Sequence, residues 1–128
     1  MPVKRILLVD DEPEILKALQ IRLVSLGYDV LTASSGKEAV QLVKNDKEKK
    51  PEAIVLDIMM PEMNGIEVLR HIRAIDKKLP VLMFTAYGDD KNFEEAEKLG
   101  ISGFIHKGRG EGVAVSIHAF LKGIKARE

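Results

Sequence analysis

Five polar residues stand where apolar runs stop. Asp10 and Asp11 follow "RILLV", Asp57 closes "AIVLD", Thr85 closes "PVLMFT", and Lys107 follows "GFIH". If these runs are strands of one sheet, their carboxyl ends bring the five groups together. Carboxylates crowded at one point repel strongly, so a cation has to neutralise Asp10, Asp11 and Asp57. Hard oxygen donors without His or Cys suit Mg2+, which keeps several waters and takes phosphate as a further ligand. Lys107 adds a second positive charge, Thr85 offers a hydroxyl, and Ala86 leaves room beside it. A metal, an ammonium and a hydroxyl around an aspartate form a cradle for the equatorial oxygens of a transferring phosphoryl group. The carboxylate nucleophile of such chemistry is Asp57, which gives an apolar strand a reason to end on an acid.

The elements that must position these groups alternate along the chain. "RILLV" reads as a strand buried on both faces. Pro13 suits the first turn of a helix, and Ile15, Leu16, Leu19, Leu23 and Leu26 recur on one face of it before Gly27. "YDVLTA" is a second strand, and Ser35 with Glu38 makes a capping box for a short helix carrying Ala39, Val40 and Val43. "AIVLD" is the third strand, and the helix after Asn64 carries Ile66, Leu69, Ile72 and Ile75. "PVLMFT" is the fourth, before a helix with Phe93, Ala96 and Leu99 that ends at Gly100. "GFIH" is the fifth, and Val113, Ile117, Phe120, Leu121 and Ile124 mark a final helix. Five βα units in succession predict an α/β fold, a five-stranded parallel sheet with helices on both faces. Right-handed crossovers make it a doubly wound (βα)5 sandwich. In the flavodoxin-like order 2-1-3-4-5, strand order reverses between strands one and three, and ligands bind outside the carboxyl ends at that point. Asp10, Asp11 and Asp57 then share one crevice, with Thr85 and Lys107 on its far side.

Composition narrows the alternatives. The chain has 128 residues, enough for one domain with a real core. Lys plus Arg and Asp plus Glu balance at 20 each, so no global field draws the chain to nucleic acid or an anionic membrane. There is no cysteine, which excludes disulfides and thiolate metal sites and fits a reducing cytoplasm. No apolar run nears the roughly 20 residues of a membrane span, and the N-terminus lacks the apolar core of a signal peptide. His71, His106 and His118 have no spaced partner for a metal, and Met59, Met60 and Met63 read as loop and rim packing. "GRGEG" lacks the spacing of a phosphate-binding loop. Asp11 and Glu12 also suit a helix start, a role compatible with metal binding.

With these residues in place, the chain resembles the receiver domains of two-component response regulators. The motifs that carry the likeness are "LLVDDEP", "IVLDIMMPEMNGIEVL", "LPVLMFTAYG" and Lys107 after "GFIH", in this order across the whole chain. The resemblance implies a single receiver domain over residues 1–128, either a stand-alone regulator or a piece of a longer one. It implies that Asp57 accepts the phosphoryl group from a sensor histidine kinase or a phosphotransfer protein in a Mg2+-dependent reaction. Asp11 would bind Mg2+ directly and Asp10 mainly through water, with Asp57 and the Met59 backbone carbonyl completing the protein ligands. Thr85 would contact the phosphoryl oxygens and Lys107 would pair with them. Phe104 falls at the switch aromatic, which rotates as Thr85 is drawn inward, and the fourth helix, fifth strand and fifth helix form the output surface toward a downstream effector. Such a domain catalyses its own phosphorylation and dephosphorylation but turns over no external substrate. The resemblance implies neither direct nucleic-acid binding nor membrane association. One position departs: Gly108 follows Lys107 where the family usually has Pro. A cis bond without proline costs about 2.5–4 kcal/mol, so this link is expected to be trans. The three glycines of "KGRGEG" loosen the loop further.

Three other readings compete. A Mg2+-dependent phosphohydrolase on a similar sheet would carry its nucleophile in a DxD pattern on strand one, whereas "VDDEP" has adjacent acids. A flavin or nucleotide binder needs a phosphate-friendly loop after strand one, and Asp10, Asp11 and Glu12 repel phosphate there unless a metal intervenes. A receiver-like interaction module that is never phosphorylated is the remaining alternative, and "KGRGEG" is its argument.

Overall fold

A computed structural model describes residues 3–45, 50–58, 60, 62–85, 90–106 and 112–124, and of Asn45, Thr85 and residues 90–92 only the backbone. Strands β1 (Arg5–Val9), β2 (Asp29–Ala33), β3 (Ala53–Asp57), β4 (Val81–Thr85) and β5 (Gly103–His106) alternate with helices α1 (Pro13–Ser25), α2 (Gly36–Asn45), α3 (Gly65–Ile75), α4 (Asp90–Leu99) and α5 (Gly112–Lys122). The strands form one parallel sheet in the order β2-β1-β3-β4-β5, the doubly wound topology expected. The chain therefore reverses its direction of winding between β1 and β3, with Val9 opposite Leu56.

The alternation of side chains along each strand splits the apolar runs into two cores. Leu7, Val9, Ile54, Leu56, Val81 and Met83 join Ala39, Val43, Ile66, Leu69, Ile72 and Ala96 from α2, α3 and α4. Ile6, Leu8, Ala53, Val55, Leu82 and Phe84 join Leu19, Leu23, Ala114, Ile117 and Leu121 from α1 and α5. A strand covered on both faces has to be apolar at every position, and Ile6 to Val9 and Ile54 to Leu56 are all fully buried.

Local chemistry sets the element ends. Pro13 opens α1, and the Gly27 N–H bonds the Val24 carbonyl while the Tyr28 N–H bonds the Leu23 carbonyl. This is a Schellman closure, and Gly27 takes the left-handed φ of +102° that it requires. Tyr28 thus spends its N–H on the helix end, and β2 begins one residue later than "YDVLTA" suggests. Ser35 Oγ accepts the Glu38 N–H, so α2 is capped as expected, and Asn64 Oδ1 accepts the Glu67 N–H to cap α3. The apolar faces run off the sheet at two helix ends. Leu26 is 44% and Ile75 40% exposed, although both continue the buried stripe in sequence. No helix among the described residues is long and apolar enough to cross a membrane.

α5 is tied to the start of β2 by one polar contact. The Tyr28 hydroxyl lies 2.8 Å from His118 Nδ1, and the two rings meet edge to face at 5.6 Å. Burial pushes the Tyr28 phenol above its ordinary value of 10.0. A folded pKa above the unfolded one means that the fold favours the neutral phenol. This contribution is fully present below about pH 10 and is lost as pH rises through the folded value. Tyrosinate absorbance should show a step above pH 10 that Tyr28→Phe removes. Stability to urea should fall more steeply above pH 10 in the parent protein than in that variant, and equal slopes would contradict the assignment.

Candidate functional site

Asp10 and Asp57 are the buried acids of the described chain, at 0% and 1% exposure. Asp10 directly follows Val9 and Asp57 directly follows Leu56, the residues paired at the top of the β1–β3 ladder. Both acids keep the strand phase of Ile6, Leu8, Ala53 and Val55, so they leave the sheet on the same side. This is the crevice at the strand-order reversal, where open α/β sheets hold their ligands.

The backbone around Asp10 fixes its carboxylate. Its N–H bonds the Ala33 carbonyl at 3.2 Å and so continues the sheet past β1. Asp10 Oδ1 then accepts the Glu12 N–H at 3.0 Å, turning the chain into α1. Glu12 takes the N-cap position but makes no side-chain capping bond, so the helix opens through Asp10 rather than through Asp11 or Glu12 as expected. The three consecutive carboxylates of Asp10, Asp11 and Glu12 place one oxygen each within 4.8 Å of one another. Asp10 is buried, Asp11 half-buried and Glu12 exposed, so the group grades from the interior to water.

Asp57 is fixed from the other side. The Ile58 N–H bonds the Phe84 carbonyl, and the Ile58 carbonyl accepts the Gly65 N–H at 2.8 Å. α3 therefore begins directly against the end of β3. A Cβ on Gly65 would collide with the Asp57 carbonyl oxygen and come within 2.7 Å of Ile58 Cα. Both obstacles are backbone, so no side-chain rotation relieves them. Between these points Glu62 turns the chain at a φ of +66°.

The other expected site residues divide as follows. The Thr85 backbone ends β4 opposite His106, next to the Asp57–Phe84 pair. Its side chain, the Met59 carbonyl and Lys107 lie outside the described residues, as do Ala86, Gly108 and the loop up to Glu111. Phe104 is half-buried on the α3–α4 face. Sequence reasoning placed Asp10 and Asp11 together. It named Glu12 as a helix-start residue and as an acid repelling phosphate beside Asp10 and Asp11, but not among the candidate metal ligands. The uninterrupted run Asp10-Asp11-Glu12 between a strand and Pro13 was the available signal.

Among the described residues the cluster offers carboxylate oxygens, and the acids lie at one end of the sheet. That chemistry fits a hard divalent cation such as Mg2+ and not a thiophilic or imidazole-binding metal.

A family model described as the response regulator receiver domain matches residues 6–115. The chain belongs to this family, whose standard work is phosphorylation-based two-component signalling, and it is a receiver domain of that kind. It is 41% identical over 104 residues to the alkaline phosphatase synthesis transcriptional regulatory protein PhoP of Bacillus subtilis, covering 81% of this chain and 42% of that protein. It is 39% identical over 104 residues to the probable transcriptional regulator ycf27 of Guillardia theta, covering 81% and 39%. The chain thus spans about two fifths of the length of these curated relatives. Among solved structures, a CheY-like receiver domain protein from Methanospirillum hungatei superposes with a TM-score of 0.85 at 26% identity, over 94% of this chain and 92% of that one. A chain of the CheX–CheY–BeF3–Mg2+ complex from Borrelia burgdorferi superposes with a TM-score of 0.83 at 30% identity, over 95% and 90%.

Two outcomes follow from the geometry. Asp10→Asn keeps Oδ1 as acceptor for the Glu12 N–H and removes one of the crowded negative charges. In chelator-treated buffer it should raise stability to urea by about 1–3 kcal/mol, the scale of like charges a few ångströms apart near a protein surface. A loss of stability would show that repulsion does not govern the cluster. Gly65→Ala should cost about 1–3 kcal/mol in the same assay, as overpacking against an unyielding neighbour does.

Proposed function

We propose that Asp57 is the phosphoryl acceptor of this receiver domain. The observation that supports the reading is the burial of Asp10 and Asp57 at adjacent strand ends in a chain of this family. An Asp57 carboxylate oxygen forms a bond to phosphorus as the bond from phosphorus to the donor breaks. With a histidine kinase or phosphotransfer protein the leaving group is an imidazole nitrogen; with acetyl phosphate it is acetate. The product is an aspartyl phosphate, and its later hydrolysis resets the domain, so the domain modifies itself and turns over no external substrate.

Asp10, Asp11 and Asp57, with the Met59 carbonyl, would hold Mg2+, and the position of Glu12 in the cluster adds it to the candidates. When bound, the ion neutralises the carboxylates and the charge on the phosphoryl oxygens. The neighbour from Borrelia burgdorferi carries Mg2+ and BeF3 in its complex, which supports the same pairing here. Lys107 pairs with a phosphoryl oxygen, and the Thr85 hydroxyl donates to another. Phe104 answers the movement of Thr85 and changes the surface formed by α4, β5 and α5. The domain takes residues 1–128. The curated relatives are about twice as long and are named as transcriptional regulators, which supports an effector domain or protein as the recipient of the switch. The site of action is the cytoplasm, where the kinase's catalytic half and the effector meet it, without contact of this domain with membrane or nucleic acid.

Intact mass after incubation with acetyl phosphate tests the reading. One phosphoryl group should be gained with Mg2+, little without it, and none in Asp57→Asn. Folded protein that binds Mg2+ and gains no mass would instead identify an interaction module that works unphosphorylated.

A further inference from the structure

Phe104 has an aromatic neighbour on the helix packed beside its strand. Phe93, on α4, meets Phe104 edge to face, with centroids 5.1 Å apart and planes at 76°. Phe104 in turn stands edge-on to His106 at 6.0 Å and 70°. Three rings therefore run from α4 along β5. Phe104 is the register partner of Met83 and packs at the edge of the α3–α4 core. Phe93 is 37% exposed, whereas Ala96 one turn further is fully buried. The Phe93 ring thus lies at the rim of the core, against Phe104, and not inside it.

α4 does not need this ring for its seat. Arg70 Nη2 lies 2.8 Å from Glu95 Oε2, an exposed ion pair between α3 and α4. Arg73 donates from Nε to the Leu99 carbonyl at 3.0 Å and from Nη2 to the Gly100 carbonyl at 2.6 Å. Its Nη1 donates to the Asp76 carbonyl at the end of its own helix. One guanidinium therefore clasps the carboxyl ends of α3 and α4 together. Loss of the Phe93 ring would leave this fastening intact.

Staggered χ1 rotamers lie about 120° apart, so turning Phe104 to another well carries its ring away from Phe93. An edge-to-face pair biases an equilibrium by roughly two- to twelvefold beyond its buried area. The geometry points to Phe93 as a positioning residue that holds Phe104 in the orientation seen here, so that α4 as well as Thr85 sets how readily the switch turns. This rests on the roles proposed above for Phe104 and Asp57.

The test uses the full chain. Three-bond couplings from the Phe104 backbone to its Cγ report χ1 populations directly, and intact mass over time reports phosphorylation by acetyl phosphate in Mg2+. In Phe93→Ala the Phe104 populations should shift and phosphorylation should accelerate about two- to tenfold, as expected from losing one aromatic pair. Phe93→Tyr keeps the ring edge and should match the parent in both. Unchanged Phe104 couplings in Phe93→Ala would overturn the proposal, and so would shifted couplings with an unchanged or slower rate. If the parent protein itself gains no phosphoryl mass, the acceptor reading falls, whatever the couplings show.

Discussion

Two carboxylates are buried at the adjacent ends of β1 and β3, and the rest of the fold has to tolerate them. Removing an ionised carboxylate from water costs several kcal/mol unless partners repay it, and a second one nearby adds repulsion. Asp10 and Asp57 are at 0% and 1% exposure. Such a pair is stable only on a scaffold with surplus stability and too rigid for the acids to swing apart into solvent. The two apolar cores supply the surplus. The parallel ladder supplies the rigidity, since Val9 and Leu56 are locked in register immediately below the acids.

The same constraint explains why the approach of α3 is so tight. With Gly65 seated against the Asp57 carbonyl, the helix begins before the strand end can fray. The Ile58 peptide bonds to β4 through its N–H and to Gly65 through its carbonyl. Asp57 thus sits on a peptide unit restrained from both sides, as Asp10 does between the Ala33 carbonyl and the Glu12 N–H. In the role proposed for Asp57, an acceptor carboxylate and a charged neighbour held in this way would need little reorganisation when a phosphoryl group arrives, which is the contribution a protein scaffold can make to such a transfer.

Much of this was legible in the sequence, because each part is local or periodic. "RILLV", "AIVLD" and "GFIH" coincide with β1, β3 and β5 residue for residue, since unbroken apolar runs bounded by acids or glycine leave no other register. Gly27 and Gly100 mark two helix ends, at φ values of +102° and +87° that other residues rarely adopt. Tertiary detail was not legible. Leu26 and Ile75 belong to apolar stripes, but periodicity does not say where the sheet beneath a helix stops. Glu12 was not legible as a candidate metal ligand, because the approach of its carboxylate to Asp10 depends on how the chain turns after β1, where the Glu12 N–H donates to the Asp10 side chain. The Arg73 clasp joins residues 26 and 27 positions apart in sequence and follows from no motif.

The helices are unequally held, and this inequality is what a switch needs. α3 buries Gly65, Ile66, Val68, Leu69 and Ile72, whereas among the described side chains of α4 only Ala96 is buried. The remaining hold on α4 is peripheral: half-buried Leu99 against the core, the Phe93–Phe104 ring contact, one exposed ion pair and the carbonyls taken by Arg73. Exposed ion pairs contribute about 0–1 kcal/mol, so such a helix can shift at a cost that leaves the two cores undisturbed. A phosphoryl group brings about two negative charges and one to three charge-assisted hydrogen bonds, enough to bias an element balanced by a few kcal/mol but not to repack a core. This supports the proposed switch, which runs through the α4–β5 side. There the structure is fastened at its edge, whereas α1 and α5 pack Leu19, Leu23, Ala114, Ile117 and Leu121 into the second core.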